Sequence, residues 1–256
     1  MAQKNGFDTY LGQFSITWGQ CWSQKQWLGF RQWYAKNSGG PSPAIAPMVP
    51  DDIKRWPETS WGKYFVYYIV ENDLYYVIPY TSLSTNCEEA GQHAQGNNDA
   101  HQVMLLEGNG MDWRFSPIRQ AVRYDIYFER MDLPLPPSLE ISSDSLCVDL
   151  NDTKRNAFGK RYLLSPARYD LPVAASFGMR LRPIEANVTH NIPGNGIFLY
   201  DLNGKACPPP LSANTKTRMD YETYGLGWRQ LLKYSLTDML HRIQNKIRRA
   251  LHGGRS

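Results

Sequence analysis

The chain predicts an α+β fold. Its core would be a mainly antiparallel β body, sandwich or barrel-like, preceded by an aromatic helix and followed by a basic amphipathic helix. Three observations predict this. Short runs rich in β-branched and aromatic residues recur between turn signals through the middle of the 256 residues. Tryptophans spaced for one helix face gather near the start. Lys and Arg gather at the end, among aliphatic residues at helical spacing. The division expected is residues 1–40, 41–222 and 223–256.

The stretch from Trp18 to Asn37 reads as a helix that places Trp22, Trp27, Phe30, Trp33 and Tyr34 on one arc, with Asn37-Ser38-Gly39-Gly40 as its stop. The stripe is expected to dock on the sheet. The other reading is an exposed aromatic surface formed by Trp22, Trp27 and Trp33. "PSPAIAPMVP" carries four prolines in ten residues and excludes a regular element. In "PDDIKRW" one helical turn is expected, capped by Asp51 or Asp52.

"KYFVYYIV" and "LYYVIPY" flank the polar tripeptide "END", which predicts a hairpin with Pro79 at a sheet edge. Thr85 and Glu88 have the spacing of a capping box that would start a short helix near Asn86. Gly108-Asn109-Gly110 predicts a second hairpin, and "AVRYDIYFERM" alternates like a half-buried strand. Further strands are expected in "LEISSDSLCVDL", at Arg161–Leu164 and at Met179–Arg182. A third hairpin would turn at Asn203-Gly204.

From Leu232 onward, Leu236, Met239, Leu240, Ile243, Ile247 and Leu251 fall within about 120° of a helical projection. Between Gly227 and Ser256 stand Arg229, Lys233, Arg242, Lys246, Arg248, Arg249 and Arg255, against one acid, Asp238. The remainder of the chain is close to neutral, which argues against a body-wide nucleic-acid groove and for a local contact. Leu236, Leu240, Ile243, Ile247, Arg242, Lys246, Arg248 and Arg249 are therefore the candidate residues for contact with a protein partner, a second copy, or an anionic lipid or nucleic acid. Ser235 and Asp238 could form a capping box that restarts the helix.

Motifs for phosphate, dinucleotide and α/β-hydrolase chemistry are absent from the sequence. Cys87 at a helix start, followed by His190 and Asp201, has the chain order of papain-type thiol hydrolases. The similarity is confined to that order, and it supplies the alternative function. Cys87, His93, Asp99 and His101 lie close in sequence at spacings that fit no zinc pattern, so neither metal nor cofactor is expected. The longest apolar run is far short of the ~20 residues of a membrane span. The N-terminus lacks an apolar leader segment, and a cytoplasmic location is expected. Asn187-Val188-Thr189 is a glycosylation sequon. The reading is a non-enzymatic binding or assembly protein.

Overall fold

The computed structural model describes residues 2–14, 19–37, 40–85, 105–108, 110–209 and 215–252, the side chains of 215–217 and 245–252 excepted. It is an α+β structure with two mixed sheets, of three and four strands, and six α-helices among the described residues. Two compact units are present, Met1–Leu211 and Ser212–Ser256.

In the first unit, helix α1 spans Gln24–Asn37. Ser23 and Gln26 form its capping box. The Ser23 N–H and hydroxyl both donate to Gln26 Oε1, at 2.8 and 2.9 Å, and the Gln26 N–H donates to Ser23 Oγ. Such a cap contributes about 1 kcal/mol. The aromatic stripe does not lie on a sheet. It packs on a second helix, α3, at Trp61–Glu71, with Phe30 buried between Phe65 at 5.2 Å and Tyr68 at 5.6 Å between ring centroids. Trp22 sits 4.4 Å from Phe65, and Trp33 donates from Nε1 to Glu71 Oε2 at 2.6 Å. Between them the one-turn helix α2, Asp51–Lys54, follows Pro50 with no side-chain cap. Asp51 and Asp52 lie inside its first turn, where a carboxylate favours the helix dipole, and Asp51 pairs with Lys54 at 3.0 Å.

Helix α3 replaces the first strand of the expected hairpin. "KYFVYYIV" is buried nearly all round, from Tyr64 through Tyr67 and again at Ile69. A segment covered on every side loses the 3.6-residue alternation that marks a surface helix, so it resembles a buried strand. The tripeptide "END" is the helix stop. Asp73 takes a left-handed φ of 49°, the Leu74 N–H donates to the Ile69 carbonyl at 2.8 Å, and the Asp73 N–H donates to the Val70 carbonyl at 3.4 Å. This is a Schellman ending with Asp in the place usually taken by Gly.

The three-stranded sheet has the order β2-β1-β3, with β1 at Thr9–Gly12, β2 at Tyr76–Pro79 and β3 at Arg123–Tyr124. β1 and β2 are antiparallel, and Pro79 opposite Thr9 lies on the edge strand, where no ladder donor is lost. β1 and β3 are parallel. The alternating run from Val122 does not continue as a strand. Asp125 Oδ1 accepts from the Tyr127 and Glu129 N–H groups, both at 2.9 Å, and folds the chain into a tight turn with Phe128 at a φ of 59°. That turn stacks Phe128 on Tyr124 at 4.9 Å.

The four-stranded sheet has the order β4-β5-β7-β6. Its strands are Leu146–Val148 (β4), Tyr162–Ser165 (β5), Val173–Phe177 (β6) and Ile197–Asp201 (β7). The β4–β5 pair is parallel; β7 runs antiparallel to both β5 and β6. Residues Met179–Arg182 form bends, not the strand expected. They lead to the short helix α4, Ala186–Thr189. The turn at Asn203-Gly204 is present, with the Gly204 N–H on the Asp201 carbonyl at 3.2 Å, but no partner strand follows it among the described residues.

Neither sheet closes, so the barrel-like body is corrected to two small open sheets. The barrel expectation counted α3, the Asp125 turn and the tail of the Asn203 turn as strands. In the described residues more of the chain is helix than strand. Glu88 and Asn109 lie outside the described residues.

In the second unit, α5 spans Thr215–Glu222 and α6 spans Trp228–His252. They are separated by Tyr224 and Gly225, at φ values of 55° and 76°. Helix α6 runs without restart through Ser235. The Thr237 hydroxyl bonds back to the Lys233 carbonyl at 2.8 Å, and Asp238 is turned to Arg242 instead of capping.

Candidate functional site

Helix α6 starts four residues before Leu232. The Gly227 N–H donates to Gln230 Oε1 at 3.2 Å, and the Gln230 N–H to the Gly227 carbonyl at 2.9 Å. A side-chain acceptor is thus supplied to one of the free donors at the helix start. Its apolar arc stays open to solvent. Leu232, Leu236, Met239, Leu240 and Ile243 are between 46% and 55% exposed, and Trp228 is 63% exposed. Arg229 lies over the Trp228 ring at 5.5 Å. The single acid, Asp238, pairs with Arg242 at 2.7 Å in an exposed i,i+4 contact. Such a pair contributes about 0.3–0.5 kcal/mol. Lys246, Ile247, Arg248 and Arg249 continue the helix, and their side chains lie outside the described residues.

Of the thiol triad, Cys87 lies outside the described residues, as do His93, Asp99 and His101. His190 is exposed at the end of α4. Asp201 is held by Arg161 at 2.9 Å and by the Asn203 N–H at 3.0 Å, and these contacts keep its carboxyl below the usual range. No hydrogen bond joins His190 to Asp201 among the described residues. The described thiols are unpaired. Cys21 is exposed, and burial pushes the Cys147 thiol up to about 11, away from thiolate reactivity. Of the aromatic-surface candidates, Trp27 is 45% exposed, while Trp22 and Trp33 are half-buried against the α1–α3 core.

Sequence reasoning missed a buried charge cluster in the first unit. Lys154 Nζ reaches Asp125 Oδ2 at 2.6 Å. The Lys154 and Thr153 N–H groups donate to Asp149 Oδ1 at 3.1 and 2.8 Å, and the Asn151 N–H donates to Glu129 Oε1 at 2.7 Å. The turn at Asp125 and the loop after β4 are thereby tied together. Beside this knot is a cleft of ≈ 350 Å³ lined in part by Arg123, Arg130, Lys154 and Lys160. Each of those cations is already engaged. Arg123 is bonded to Asp132, Arg130 to Gln3, and Lys160 to the Asp144 carbonyl at 2.7 Å. Arg123 and Lys154 are bonded to carboxylates, while the acceptors on Arg130 and Lys160 are neutral; the arrangement ties loops together. Only the pairing of these charges in space reveals it; along the chain they are isolated residues.

Burial pushes the Glu129 carboxyl up to about 8, against the pull of the Asn151 N–H and of Lys154, with Asp125 adding to the rise. The native state therefore binds a proton here that the unfolded chain releases at about pH 4.5, and stability falls as pH rises from there to about 8. Glu129→Gln keeps the acceptor for Asn151 and removes the ionisation. Relative to the parent, this variant should gain on the order of 3 kcal/mol between about pH 5 and about pH 8.5 in urea unfolding. A parallel pH profile in the two proteins would show that Glu129 does not titrate in this range.

No family model, curated protein or solved structure matches the chain. No helix among the described residues is long and apolar enough to cross a membrane.

Proposed function

We propose that this is a non-enzymatic binding or assembly protein whose basic C-terminal helix α6 is the contact element, for a partner, a second copy or an anionic surface. One observation carries the reading: α6 keeps its aliphatic arc about half exposed on a segment with seven cations and one acid. An isolated helix gains little by exposing such an arc, and dipole complementation asks for fewer charges than are present. The cytoplasmic location expected from the sequence is part of this proposal. The thiol-hydrolase alternative gains no support from His190 or Asp201.

The test compares the full chain with one ending at Gly227. Sedimentation velocity follows self-association, gel retardation follows binding to a DNA fragment, and flotation follows binding to anionic vesicles. The full chain should show an association that weakens in molar salt and that the shortened chain lacks, with the cooperative unfolding of the body unchanged. Absence of helix-dependent association in all three formats, or collapse of the body on truncation, overturns the reading.

A further inference from the structure

We infer that the occupant of the α6 face is an anionic lipid surface, with the helix lying in the plane of the interface. This rests on the reading of α6 as the contact element and names what it contacts.

The spacing of the aliphatic residues is the first argument. Leu232, Leu236, Leu240 and Ile243 are separated by four, four and three residues, and the sequence repeats four and four at Ile247 and Leu251. That is an eleven-residue pattern, about 3.67 residues per turn, close to the natural period of the helix. A seven-residue seam drifts around a straight helix and wraps two helices together; Leu232, Leu236, Met239 and Ile243 have that spacing, but Lys246 ends it, while the eleven-residue pattern continues through Ile247 and Leu251. With 25 residues, α6 is about 37 Å long, and this spacing keeps its aliphatic positions on one side, which suits a flat surface.

The second argument is where the charges stand around the axis. On a helical projection of the sequence, positions 233 and 246 fall at the two margins of the strip, 242, 248 and 249 further round, and Arg229 within its arc at the N-terminal end. The one acid, Asp238, falls almost opposite the strip and is bonded to Arg242. Cations at the margins suit headgroup phosphates while aliphatic side chains enter the acyl boundary, and the acid is kept away from it. Trp228 at the strip's N-terminal end, exposed and with Arg229 over its ring, has the amphipathic character found at membrane interfaces.

The other occupants fit less well. A second copy would bring two sets of cations together with one acid each to offset them. A nucleic acid would engage the cations and leave the aliphatic strip in water. The helix is too polar to span a bilayer, so it lies on the surface.

The experiment is flotation of the full chain with vesicles of phosphatidylcholine alone and of phosphatidylcholine with phosphatidylserine at about two to one. Two variants accompany it, L236Q/L240Q/I243Q, which keeps every charge, and K233Q/K246Q, which keeps the strip. Gln is a good helix former, so neither change removes the helix by propensity. The expected result is binding to the serine-lipid vesicles alone. The strip variant should lose about ten-fold or more in partitioning, and the charge variant about five-fold per charge removed. Equal binding to both vesicles overturns the role of charge and with it the proposal. Failure to float, with self-association that L236Q/L240Q/I243Q abolishes, makes a second copy the occupant; the lipid inference falls and the contact reading stands. DNA retardation that survives L236Q/L240Q/I243Q, without flotation, likewise replaces lipid with nucleic acid. Failure to float with no other association removes both.

Discussion

Lys154→Met is expected to cost about 3–5 kcal/mol of folding stability, the usual effect of stripping one partner from a buried ion pair. The Lys154 side chain is 8% exposed and that of Asp125 18%. The ammonium also lies 5.5 Å from the Tyr127 ring centroid and 5.9 Å from that of Phe158. Burial alone would lower the Lys154 pKa, but Asp125 outweighs it and the net shift is upward. Met retains much of the volume and the contact with the two rings, so the loss isolates the charge. It leaves the Asp125 carboxylate buried without a cation, with Asp149 and Glu129 for neighbours. Urea unfolding should show a lower midpoint with an unchanged slope. Asp125→Asn in the Lys154→Met background should recover part of the loss, since the orphaned charge is gone. Arg242→Met, which breaks an exposed pair, should change stability by less than about 0.5 kcal/mol. A Lys154 effect as small as the Arg242 one would mean that the knot between the Asp125 turn and the β4 loop does not hold the fold.

The contrast between these two pairs tracks what could be read from the chain. Arg242 and Asp238 are four residues apart on one helix, and a helical projection puts them together. Asp125 and Lys154 come from different loops, and only the folded chain makes them neighbours. The same division runs through the elements. The aromatic spacing from Trp27 to Tyr34 and the aliphatic spacing from Leu232 to Ile243 are local, and helices occupy both stretches. The segment Tyr64–Val70 is also a helix, yet its enclosure on all sides erased the period that would have identified it. The alternation from Val122 to Glu129 is a genuine strand pattern, overridden by two bonds from one carboxylate. The Ser23–Gln26 capping box fixes where α1 begins, at Gln24, six residues after Trp18. For α6, the strip and the charge excess could be read directly; whether anything covered the strip could not.

Asn187→Ala is the second large effect, also expected at about 3–5 kcal/mol. Asn187 is completely buried and uses its whole amide. Its Oδ1 accepts from the Arg180 and Leu181 N–H groups at 2.7 and 2.8 Å; its Nδ2 donates to the Leu181 and Ile184 carbonyls, both at 2.9 Å. One side chain thus supplies the hydrogen bonds that regular structure would give residues 180–184, which is why Met179–Arg182 need no strand partner. Alanine leaves four backbone groups, the N–H of Arg180 and Leu181 and the carbonyls of Leu181 and Ile184, without their partner, and each costs about 1–3 kcal/mol where water does not reach it. The same loop sets the entry to β7, where the Gly178 N–H meets the Ile192 carbonyl and the Gly196 N–H meets the Phe177 carbonyl, both at 2.7 Å. Amide exchange should therefore accelerate first at Arg180 and Leu181 and then along β6 and β7. The sequon built on Asn187 is closed by this geometry, because a glycan on Nδ2 would take the place of one of its two donated hydrogens and require an opening that the buried site lacks. Unchanged stability in Asn187→Ala, with Arg180 and Leu181 still protected, would show that the loop is held by something other than this amide.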